Sequence, residues 1–530
     1  MQLSKLYRNK WLLSLASPFL LLLAWPAAGF APLLFIAFLP LLQIEDLITQ
    51  EKKSQNKANV FIPAYLAFVL FNLLTTWWIW YASPFGMFGA VFANALLMTI
   101  VFIAFHQTRL QFGNFIGYLS LPLYWMGFEF FHMDWDLTWP WLNLGNGFAA
   151  WANMVQWYEY TGTQGGTLWI LTTNIAVFHA IKATREEKSK WVYASFGLVT
   201  IPLLLSALIY LNVTENKRPV EIVVVQPNID PYNEKFSGNS REQLEKILRL
   251  AAGKITPATR LVVCPETALP DGIWNEEINE HPQILRIQDF LNQSPDIRFL
   301  TGLSYYKLFL PGEPLSETAR AFMDGPGHFD AYNAAIHIQK DNPFQFHYKG
   351  RLVPGVEKMP FPAVFGFLEN FAIDLGGTAG SLGSNVEPNV FTGDSIVAAP
   401  VICYESVYGD YIGEYVRKGA NLICIMTNDG WWKDTPGYRQ HCQYARLRAI
   451  EHRRSIARSA NTGISCFINQ KGEIQQATGW WQDDCIRANL NLNNNLTFYS
   501  HYGDLWGISS AFLSLFLLTA LMVAAGRSRL

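Results

Sequence analysis

Long apolar stretches divide the chain into a hydrophobic first part, a mixed middle part and a hydrophobic end. Apolar residues dominate eight segments, at about residues 11–28, 30–42, 60–82, 85–105, 115–131, 167–181, 191–213 and 505–525. A helix that crosses a bilayer needs about 20 predominantly apolar residues. Some segments are shorter, so their boundaries are approximate. The pattern predicts eight membrane-spanning helices, the first of them retained, since no small-residue cleavage site follows it.

The basic residues between these segments predict the orientation of the helices, because Lys and Arg collect on the cytoplasmic side. With eight spans, the basic residues of the loops and termini all fall on one side: Lys5, Arg8, Lys10, Lys52, Lys53, Lys57, Arg109, Lys182, Arg185, Lys188, Lys190, Arg527 and Arg529. Both termini are then cytoplasmic. Residues 214–504 are exported, together with short stretches around Ser83 and at residues 132–166.

The exported region alternates between strand-like and helix-like patterns. Strands are predicted at residues 220–225, 260–264, 297–303, 334–339, 396–402, 422–427 and 463–469, and helices at 241–252, 282–292 and 438–452. The predicted fold class is therefore α/β for this region. We expect three parts: residues 1–213 with transmembrane helices 1–7, residues 214–504 as an exported α/β domain, and residues 505–530 with helix 8 and a cytoplasmic C-terminus.

Composition supports a membrane protein. The 530 residues are 50% hydrophobic and only 15% charged, against roughly 25% charged in an ordinary soluble domain. The net charge of −2 and the absence of a Lys/Arg-rich run give no sign of a nucleic-acid partner. Six widely spaced cysteines without a C-x-x-C motif predict no disulfide framework. His-rich ligand spacing is absent, so we expect neither a metal nor another cofactor.

Candidate chemistry lies at predicted strand ends and in a loop. Cys403 follows the strand at residues 396–402 and precedes a predicted helix that runs to Lys418, Glu266 follows the strand at 260–264, and Lys349 and Glu357 lie in a loop with Pro and Gly. A carboxylate can take a thiol proton, and an ammonium can stabilise an oxyanion. Taken separately, each group has an ordinary alternative: a buried small thiol for Cys403, and solvated surface charges for the others.

The local sequences around these residues resemble a known superfamily. "CPETALP", "YKGRLVPGVEKMPF", "VICYES" and "TNDGWW" occur in the order of the nitrilase superfamily motifs. Together with the apolar segments, "WPWLNLGN" and "VQWYEYTGTQGGTLWILTTN", the chain resembles the apolipoprotein N-acyltransferase family. The resemblance implies a nitrilase-like αββα sandwich domain on an eight-helix transmembrane domain. The sequence departs from the family pattern at "VPGVEK" and in the last residues of "TNDGWW". Neither departure removes a catalytic group.

The resemblance also assigns roles. It implies that Glu266 is the general base, Lys349 the oxyanion stabiliser and Cys403 the nucleophile.

Four further residues receive supporting roles. Glu357 resembles the second glutamate that holds the lysine, and the amide of Tyr404 is a candidate second oxyanion donor. Glu405 either shapes the turn or only caps the following helix. Phe236 stands where the family often carries a tryptophan, and it is a candidate acyl-chain contact or a loosely packed loop residue.

The implied reaction is a two-step acyl transfer in the bacterial inner membrane. An acyl chain passes from a phosphatidylethanolamine-like phospholipid to Cys403, and then to the α-amine of the S-diacylglyceryl-cysteine that begins an apolipoprotein. The enzyme is expected to be a monomer. Two alternatives are a membrane-tethered nitrilase-like amidase that passes the acyl group to water, and an inactive binding or scaffold protein.

Overall fold

The structure, a computed structural model, describes residues 8–55, 59–215, 217–294, 296–322, 325–362, 381–385 and 387–527. The topology prediction also uses Lys5, Lys57 and Arg529 and the side chains of Lys52 and Lys53, all of which lie outside what is described. The described chain forms two compact units. One takes its residues from Met1–Trp77, Met87–Asn212 and Tyr502–Leu530, and the other from Trp78–Gly86 and Val213–His501.

The α-helices are, in chain order, α1 (Lys10–Ala24), α2 (Leu39–Gln55), α3 (Phe61–Thr76), α4 (Ile79–Ala82), α5 (Pro84–Phe131), α6 (Tyr158–Lys182), α7 (Arg185–Asn212), α8 (Ser240–Ala252), α9 (Pro282–Asn292), α10 (Gly409–Arg417), α11 (Pro436–His452), α12 (Phe498–Tyr502) and α13 (Leu505–Arg527). Short 3₁₀ helices cover Ala31–Phe35, Pro140–Leu142, Leu144–Val155, Asn275–Glu277, Cys403–Val407 and Asp429–Trp432.

Several helices of the first unit fit a membrane environment. Within the described residues, four stretches are long and apolar enough to cross a membrane: Ala31–Glu51, Pro84–Phe131, Arg185–Asn212 and Leu505–Arg527. Helices α1 and α3 are apolar but shorter. Helix α5 is interrupted at Gly113, whose φ of 83° is not helical, so that its 48 residues form two apolar segments. These helices support a membrane protein, whereas the count of eight spans stays a prediction.

One basic residue used for the topology is not a solvated loop residue. Arg109 lies within α5 and is only 8% exposed. Its guanidinium pairs with the buried carboxylate of Glu45 and lies 3.0 Å from Oδ1 of Asp46. Buried charges require such partners because leaving water is costly. Arg109 therefore connects α5 to α2 through buried ion pairs.

The apolar segment at residues 60–82 is not one continuous helix. Helix α3 ends at Thr76, and Trp78–Gly86 group with Val213–His501. The ring of Trp78 is 1% exposed and lies 4.7 Å from the ring of Trp432, centroid to centroid. Gly437 permits this packing, since a Cβ there would lie 2.6 Å from the indole. The predicted span is thus interrupted where the indole of Trp78 is buried among residues of Val213–His501.

The strands are β1 (Pro219–Gln226), β2 (Thr259–Val263), β3 (Leu269–Trp274), β4 (Arg298–Leu308), β5 (Arg320–Ala321), β6 (His328–Ile338), β7 (Gln345–Tyr348), β8 (Phe391–Gly393), β9 (Ile396–Ile402), β10 (Leu422–Thr427), β11 (Ile456–Ala460), β12 (Cys466–Ile468), β13 (Ile474–Ala477) and β14 (Asp484–Asn491). They form an eight-stranded sheet with the path β14-β1-β2-β4-β6-β5, to which β3 and β7 attach, and a six-stranded sheet ordered β13-β12-β11-β10-β9-β8. Strands β1, β2 and β4 are parallel, as are β9, β10 and β11.

The two sheets face each other, and helices cover them outside. Successive side chains of a strand point to opposite faces. Val223, Val225, Val262 and Cys264 pack with side chains of α8 and α9. Ile222, Val224, Leu261 and Val263 pack with Ile402, Leu422, Cys424 and Met426 of the second sheet. Helix α10 contacts β9, and α11 packs on α10. This is a sandwich of mixed sheets between helices.

The patterning located most of the parallel core but missed polar strands. Strand β11 was not predicted because Arg458 and Ser459 interrupt its apolar character, although both are fully buried. The strand predicted at residues 463–469 begins only at Cys466, because the chain turns at Gly463, whose φ is 133°. The pattern also does not predict β3, β5, β7, β8, β13 and β14.

Candidate active site

A cavity of about 150 Å³ lies within the unit formed by Trp78–Gly86 and Val213–His501. Four candidate residues from separate parts of the sequence, Glu266, Lys349, Glu357 and Cys403, line this cavity together with Phe236. Parallel strands place their carboxyl ends at the same sheet edge, and ligands bind there in open α/β sheets. The cavity therefore collects residues that follow β1, β2 and β9.

Glu266 is held in a turn that lies directly on β4. The carbonyl of Pro265 accepts a hydrogen bond from the amide of Gly302 at 3.1 Å. A Cβ at position 302 would lie 2.4 Å from the amide nitrogen of Thr267 and 2.7 Å from the Cα of Glu266. Only glycine allows so close an approach. The side chain of Glu266 is 6% exposed, so its carboxylate is largely shielded from water.

Lys349 lies between two carboxylates. Its Nζ is 3.0 Å from Oε1 of Glu266 and 2.7 Å from Oε1 of Glu357. The loop is fixed in turn, because Oε2 of Glu357 accepts from the Val353 amide at 2.9 Å. Burial lowers the pKa of Lys349, but the carboxylates of Glu266 and Glu357 outweigh burial and raise it well above its usual range. The ammonium therefore stays charged.

Asn333 belongs to this group and was missed from the sequence. Its Nδ2 donates to Oε1 of Glu266 at 2.7 Å and to Oε1 of Glu357 at 3.2 Å. It lies on β6, whose carbonyl at Asn333 also accepts from the amide of Lys349 at 2.9 Å. The available signal is a polar amide beside the apolar residues of "YNAAI" at 332–336. Such a residue, when buried, must find hydrogen-bond partners.

Cys403 occupies a strained turn at the end of β9. Its φ is 49°, which is unusual for a residue with a side chain and is found at functional sites. Its carbonyl accepts from Oγ of Ser406 at 2.7 Å and lies 3.2 Å from Nε2 of His441. Burial and the nearby carboxylate of Glu266 raise the pKa of the thiol, although Lys349 opposes this. The resting thiol is therefore protonated.

The helix predicted directly after Cys403 is wrong in its first part. A 3₁₀ turn covers Cys403–Val407, Tyr408 is extended with φ −94° and ψ 101°, and α10 then starts at Gly409. The extended backbone of Tyr408 separates the turn from α10, and the positive φ of Cys403 also lies outside the right-handed helical region. Tyr404 is buried within this turn, and its ring packs edge-on against that of Tyr408 at 5.2 Å.

Glu405 connects the cysteine turn to the lysine loop. Its fully buried carboxylate accepts from the amide of Ile402 at 2.7 Å and from the amide of Gly350 at 2.7 Å. Nε2 of His347 lies 3.2 Å from it. Burial raises the pKa of Glu405, but His347 and the two amides outweigh burial and lower it. The carboxylate thus binds the residue before Cys403 and the residue after Lys349. A residue that only caps a helix would bind amides of that helix alone.

A buried charged network of Asp429, Arg458 and His441 contacts the turn that contains Cys403. Asp429 binds Nη2 of Arg458 at 2.7 Å and lies 2.9 Å from Nδ1 of His441. Burial raises the pKa of Asp429, but Arg458 and His441 outweigh burial and lower it to about 2. Because His441 also reaches the Cys403 carbonyl, the network extends to the turn that contains Cys403. The sequence motif "TNDGWW" contains Asp429, but its partner Arg458 could not be found without the fold.

The remaining walls of the cavity are mostly apolar or aromatic. They include Ala82, Tyr306, Tyr332, Val353, Val356, Leu382, Trp431 and Trp432. The ring of Phe236 stacks on Trp431 with centroids 6.4 Å apart and is 38% exposed. Such walls suit an acyl chain better than a charged ligand. Among the described residues, no group of three or more His, Cys, Asp or Glu side chains is arranged to hold a metal ion.

A sandwich of two mixed sheets with Cys, Glu and Lys at the strand ends is typical of a carbon–nitrogen hydrolase domain. The family model described as carbon-nitrogen hydrolase matches residues 222–495, and the model described as the apolipoprotein N-acyltransferase N-terminal domain matches residues 17–176. The chain belongs to the apolipoprotein N-acyltransferase family.

Individual relatives agree with these models. The chain is 31% identical to the apolipoprotein N-acyltransferase of Chlorobaculum tepidum, with 95% of each chain covered. It is 26% identical to that of Geobacter metallireducens, covering 94% of this chain and 92% of the relative. Among solved structures, an amidase from Nesterenkonia sp. is similar, with 13% identity, a TM-score of 0.36, and coverage of 53% of this chain and 93% of the amidase.

Proposed function

We propose that this protein transfers an acyl chain from a phospholipid, through a thioester on Cys403, to the α-amine of the S-diacylglyceryl-cysteine at the start of an apolipoprotein. The observation that carries the proposal is that Cys403, Glu266 and Lys349 line one cavity whose remaining walls are mostly apolar. The names of the relatives, which are apolipoprotein N-acyltransferases, support the same reaction.

In the first half-reaction, the sulfur of Cys403 attacks the ester carbonyl of the phospholipid while its proton moves to Glu266. A resting thiol with a raised pKa requires this transfer to accompany the attack. The Lys349 ammonium, and the Tyr404 amide beside the nucleophile, stabilise the oxyanion. When the intermediate collapses, the ester C–O bond breaks, and Glu266 returns the proton to the leaving alkoxide. The products are the thioester and a lysophospholipid.

In the second half-reaction, the α-amine of the diacylated cysteine attacks the thioester. Glu266 takes the proton that the amine loses, the C–S bond breaks, and Glu266 then protonates the departing thiolate. The enzyme returns to its starting state without a cofactor. Glu357 holds Lys349 in place during both steps, because its carboxylate lies 2.7 Å from the ammonium.

We further propose that the reaction takes place at the outer face of the bacterial inner membrane. Residues 214–504 are periplasmic in this proposal, and both termini are cytoplasmic. Both substrates carry acyl chains, and exposing each CH₂ group to water costs about 0.8 kcal/mol. A catalytic domain joined to membrane helices avoids that extraction. Phe236, at the cavity wall and partly exposed, is an acyl-chain contact. The enzyme acts as a monomer in this scheme.

Intact-mass analysis tests the proposal. The full-length protein in detergent is incubated with phospholipid, and we expect its mass to rise by one acyl group, which peptide mapping then locates on the peptide that contains Cys403. The buried Cys485→Ala is a matched control that keeps the adduct. An adduct that persists in Cys403→Ala contradicts the proposal. If the thioester decays equally fast with and without a diacylated amine peptide, water is the acceptor, and the amidase alternative replaces the transferase.

A further inference from the structure

A second lysine is buried beside the catalytic residues. Lys235 follows β1, directly before Phe236, and is only 2% exposed. Its Nζ donates a hydrogen bond to the main-chain carbonyl of Glu266 at 2.8 Å. Neither half-reaction above uses this ammonium. Because burying an ammonium is costly unless it is well partnered, its place beside the proposed general base requires an explanation.

Several contacts fix Lys235 in this position. Its amide donates to the carbonyl of Asp230 at 2.9 Å, and its carbonyl accepts from Nε2 of Gln243 at 3.2 Å. The side-chain amide of Asn428 lies 3.2 Å from Nζ, and it accepts a hydrogen bond from the ammonium when its oxygen is turned toward the lysine. Asn428 itself lines the cavity. The backbone and the ammonium of Lys235 are therefore both restrained, and the ammonium stays directed at the Glu266 turn.

The ammonium of Lys235 balances the charges of the other groups in the site. The carboxylates of Glu266 and Glu357 and the ammonium of Lys349 together carry one net negative charge. With the ammonium of Lys235 included, the net charge of the site is zero while Cys403 holds its proton. Moving that proton from the sulfur to Glu266 leaves this net charge unchanged. Without Lys235, the thiolate and the later oxyanion would form in a buried site with an uncompensated negative charge, which disfavours both.

We propose that Lys235 is a positioning residue of this active site, which fixes the main chain of Glu266 and supplies the second positive charge that lets Cys403 lose its proton. This inference rests on the proposed function in that it assumes Cys403 to be the nucleophile. It does not depend on the identity of either lipid substrate.

The position of Lys235 also predicts a pH dependence. Burial lowers the pKa of Lys235 to about 8, while Glu266 and Cys403 oppose that effect. The groups that face the ammonium are Glu266, Cys403, the Asn428 amide and the ring of Phe236, whose centroid is 5.9 Å away. Since the ammonium is charged below its pKa, its contribution is present at neutral pH and is lost as the pH rises through about 8.

The test measures alkylation of Cys403 by iodoacetamide as a function of pH, with the modified peptide located by mass spectrometry. This reagent needs no acyl donor, so the result concerns Lys235 even if phospholipid proves not to be the substrate. Full-length Lys235→Met should be alkylated roughly tenfold more slowly near neutral pH, which corresponds to about one pKa unit. Lys235→Arg, which keeps the positive charge, should be alkylated at about the wild-type rate near neutral pH. Its positive charge, and therefore that rate, should persist above pH 8. The exposed Lys340→Met is the control.

Thermal unfolding separates the proposed role from a loss of structure. We expect Lys235→Met to unfold near the wild-type temperature. If its pH profile matches that of the wild type, or if Lys235→Arg is as slow as Lys235→Met, the proposal is overturned. Should Lys235→Met not fold, Lys235→Gln compared with Lys235→Arg decides the question in the same way.

Discussion

Nδ2 of Asn333 lies 2.7 Å from Oε1 of Glu266, the same oxygen that binds the ammonium of Lys349 at 3.0 Å. One carboxylate oxygen is thereby occupied by two donors. An acceptor with two hydrogen bonds of this kind is fixed in orientation. The other oxygen of Glu266 is the one we expect to take the proton of Cys403.

Substitution of Asn333 tests this orientation. Asn333→Ala should slow thioester formation by roughly tenfold to a hundredfold, because a hydrogen bond to a charged group contributes about 1.5–3 kcal/mol. Asn333→Asp should be worse, since it adds a third carboxylate beside Glu266 and Glu357. Stopped-flow measurement with a fluorescent phospholipid checks both. The exposed Asn342→Ala is the control, and equal rates for Asn333→Ala and wild type would refute the assignment.

Lys349 and its partner Glu357, whose Oε1 lies 2.7 Å from the ammonium, should differ in how strongly their substitution affects the two steps. Lys349→Met should slow thioester formation and amine transfer by roughly 100-fold to 1,000-fold, the usual loss for one oxyanion donor. Glu357→Gln keeps an acceptor for Lys349 and should lose less. The double variant should be little worse than Lys349→Met, because both changes act through one group.

Separate single-turnover assays of the two steps check this, with the exposed Glu387→Gln as control. If Glu357→Gln accumulates a thioester that the amine peptide cannot discharge, Glu357 acts on the second substrate, and its role as a partner of Lys349 is wrong.

Glu405 should matter for stability as well as for activity. Glu405→Gln removes the charge that both amides bind and leaves at least one of the amides of Ile402 and Gly350 without an acceptor, because a side-chain amide has only one oxygen, at a cost of roughly 1–3 kcal/mol. We expect a lower melting temperature in detergent and slower thioester formation. Glu414→Gln, a half-buried carboxylate on α10, provides the comparison. A variant with wild-type melting temperature and reduced activity would show that Glu405 acts on substrate instead.

Asp429 should make stability depend on acidity in a defined range. Its pKa of about 2 in the folded state lies below its ordinary value of 3.8, so folding favours the charged form. That stability is fully present above about pH 4 and is lost as the pH falls through 2, a difference of about 2 kcal/mol. Asp429→Asn should remove this dependence. It should also destabilise the protein at neutral pH by roughly 3–5 kcal/mol, because Arg458 would stay buried without its partner.

Denaturant unfolding of the wild type and Asp429→Asn at several pH values measures these effects, with the exposed Asp434→Asn as control. An unchanged acid profile in Asp429→Asn would show that other carboxylates determine the acid transition.

Reporter fusions test the orientation in the membrane. An alkaline phosphatase fused near Asn292 should be active, because residues 214–504 are proposed to be periplasmic, and one fused near Glu187 should be inactive. The reverse pattern would overturn both the compartment and the lipoprotein substrate.

The sequence allowed the parallel core to be predicted because its strands are continuous apolar runs. Strands β1, β2, β9 and β10 were located within a residue or two. It failed at β11, where Arg458 looks exposed in the sequence but is neutralised by Asp429 in the fold. The prediction from sequence is also wrong at Trp78, which the apolar pattern assigns to a membrane span but which packs on Trp432. In both cases the deciding partner is remote in the chain.

The sequence by itself determined the candidate chemistry of this protein: a thiol after one strand, a carboxylate after another and a lysine loop between them, in a chain with long apolar segments. Those properties depend on residue type and local order. Only the tertiary structure decided how the groups act on one another. Asn333 binds the carboxylates of Glu266 and Glu357. Glu405 joins the cysteine turn to the lysine loop, and Lys235 binds the main-chain carbonyl of Glu266. Hydrogen bonds and charge interactions depend on distances of a few ångströms between residues far apart in the chain, and only the packing of the two sheets creates those distances.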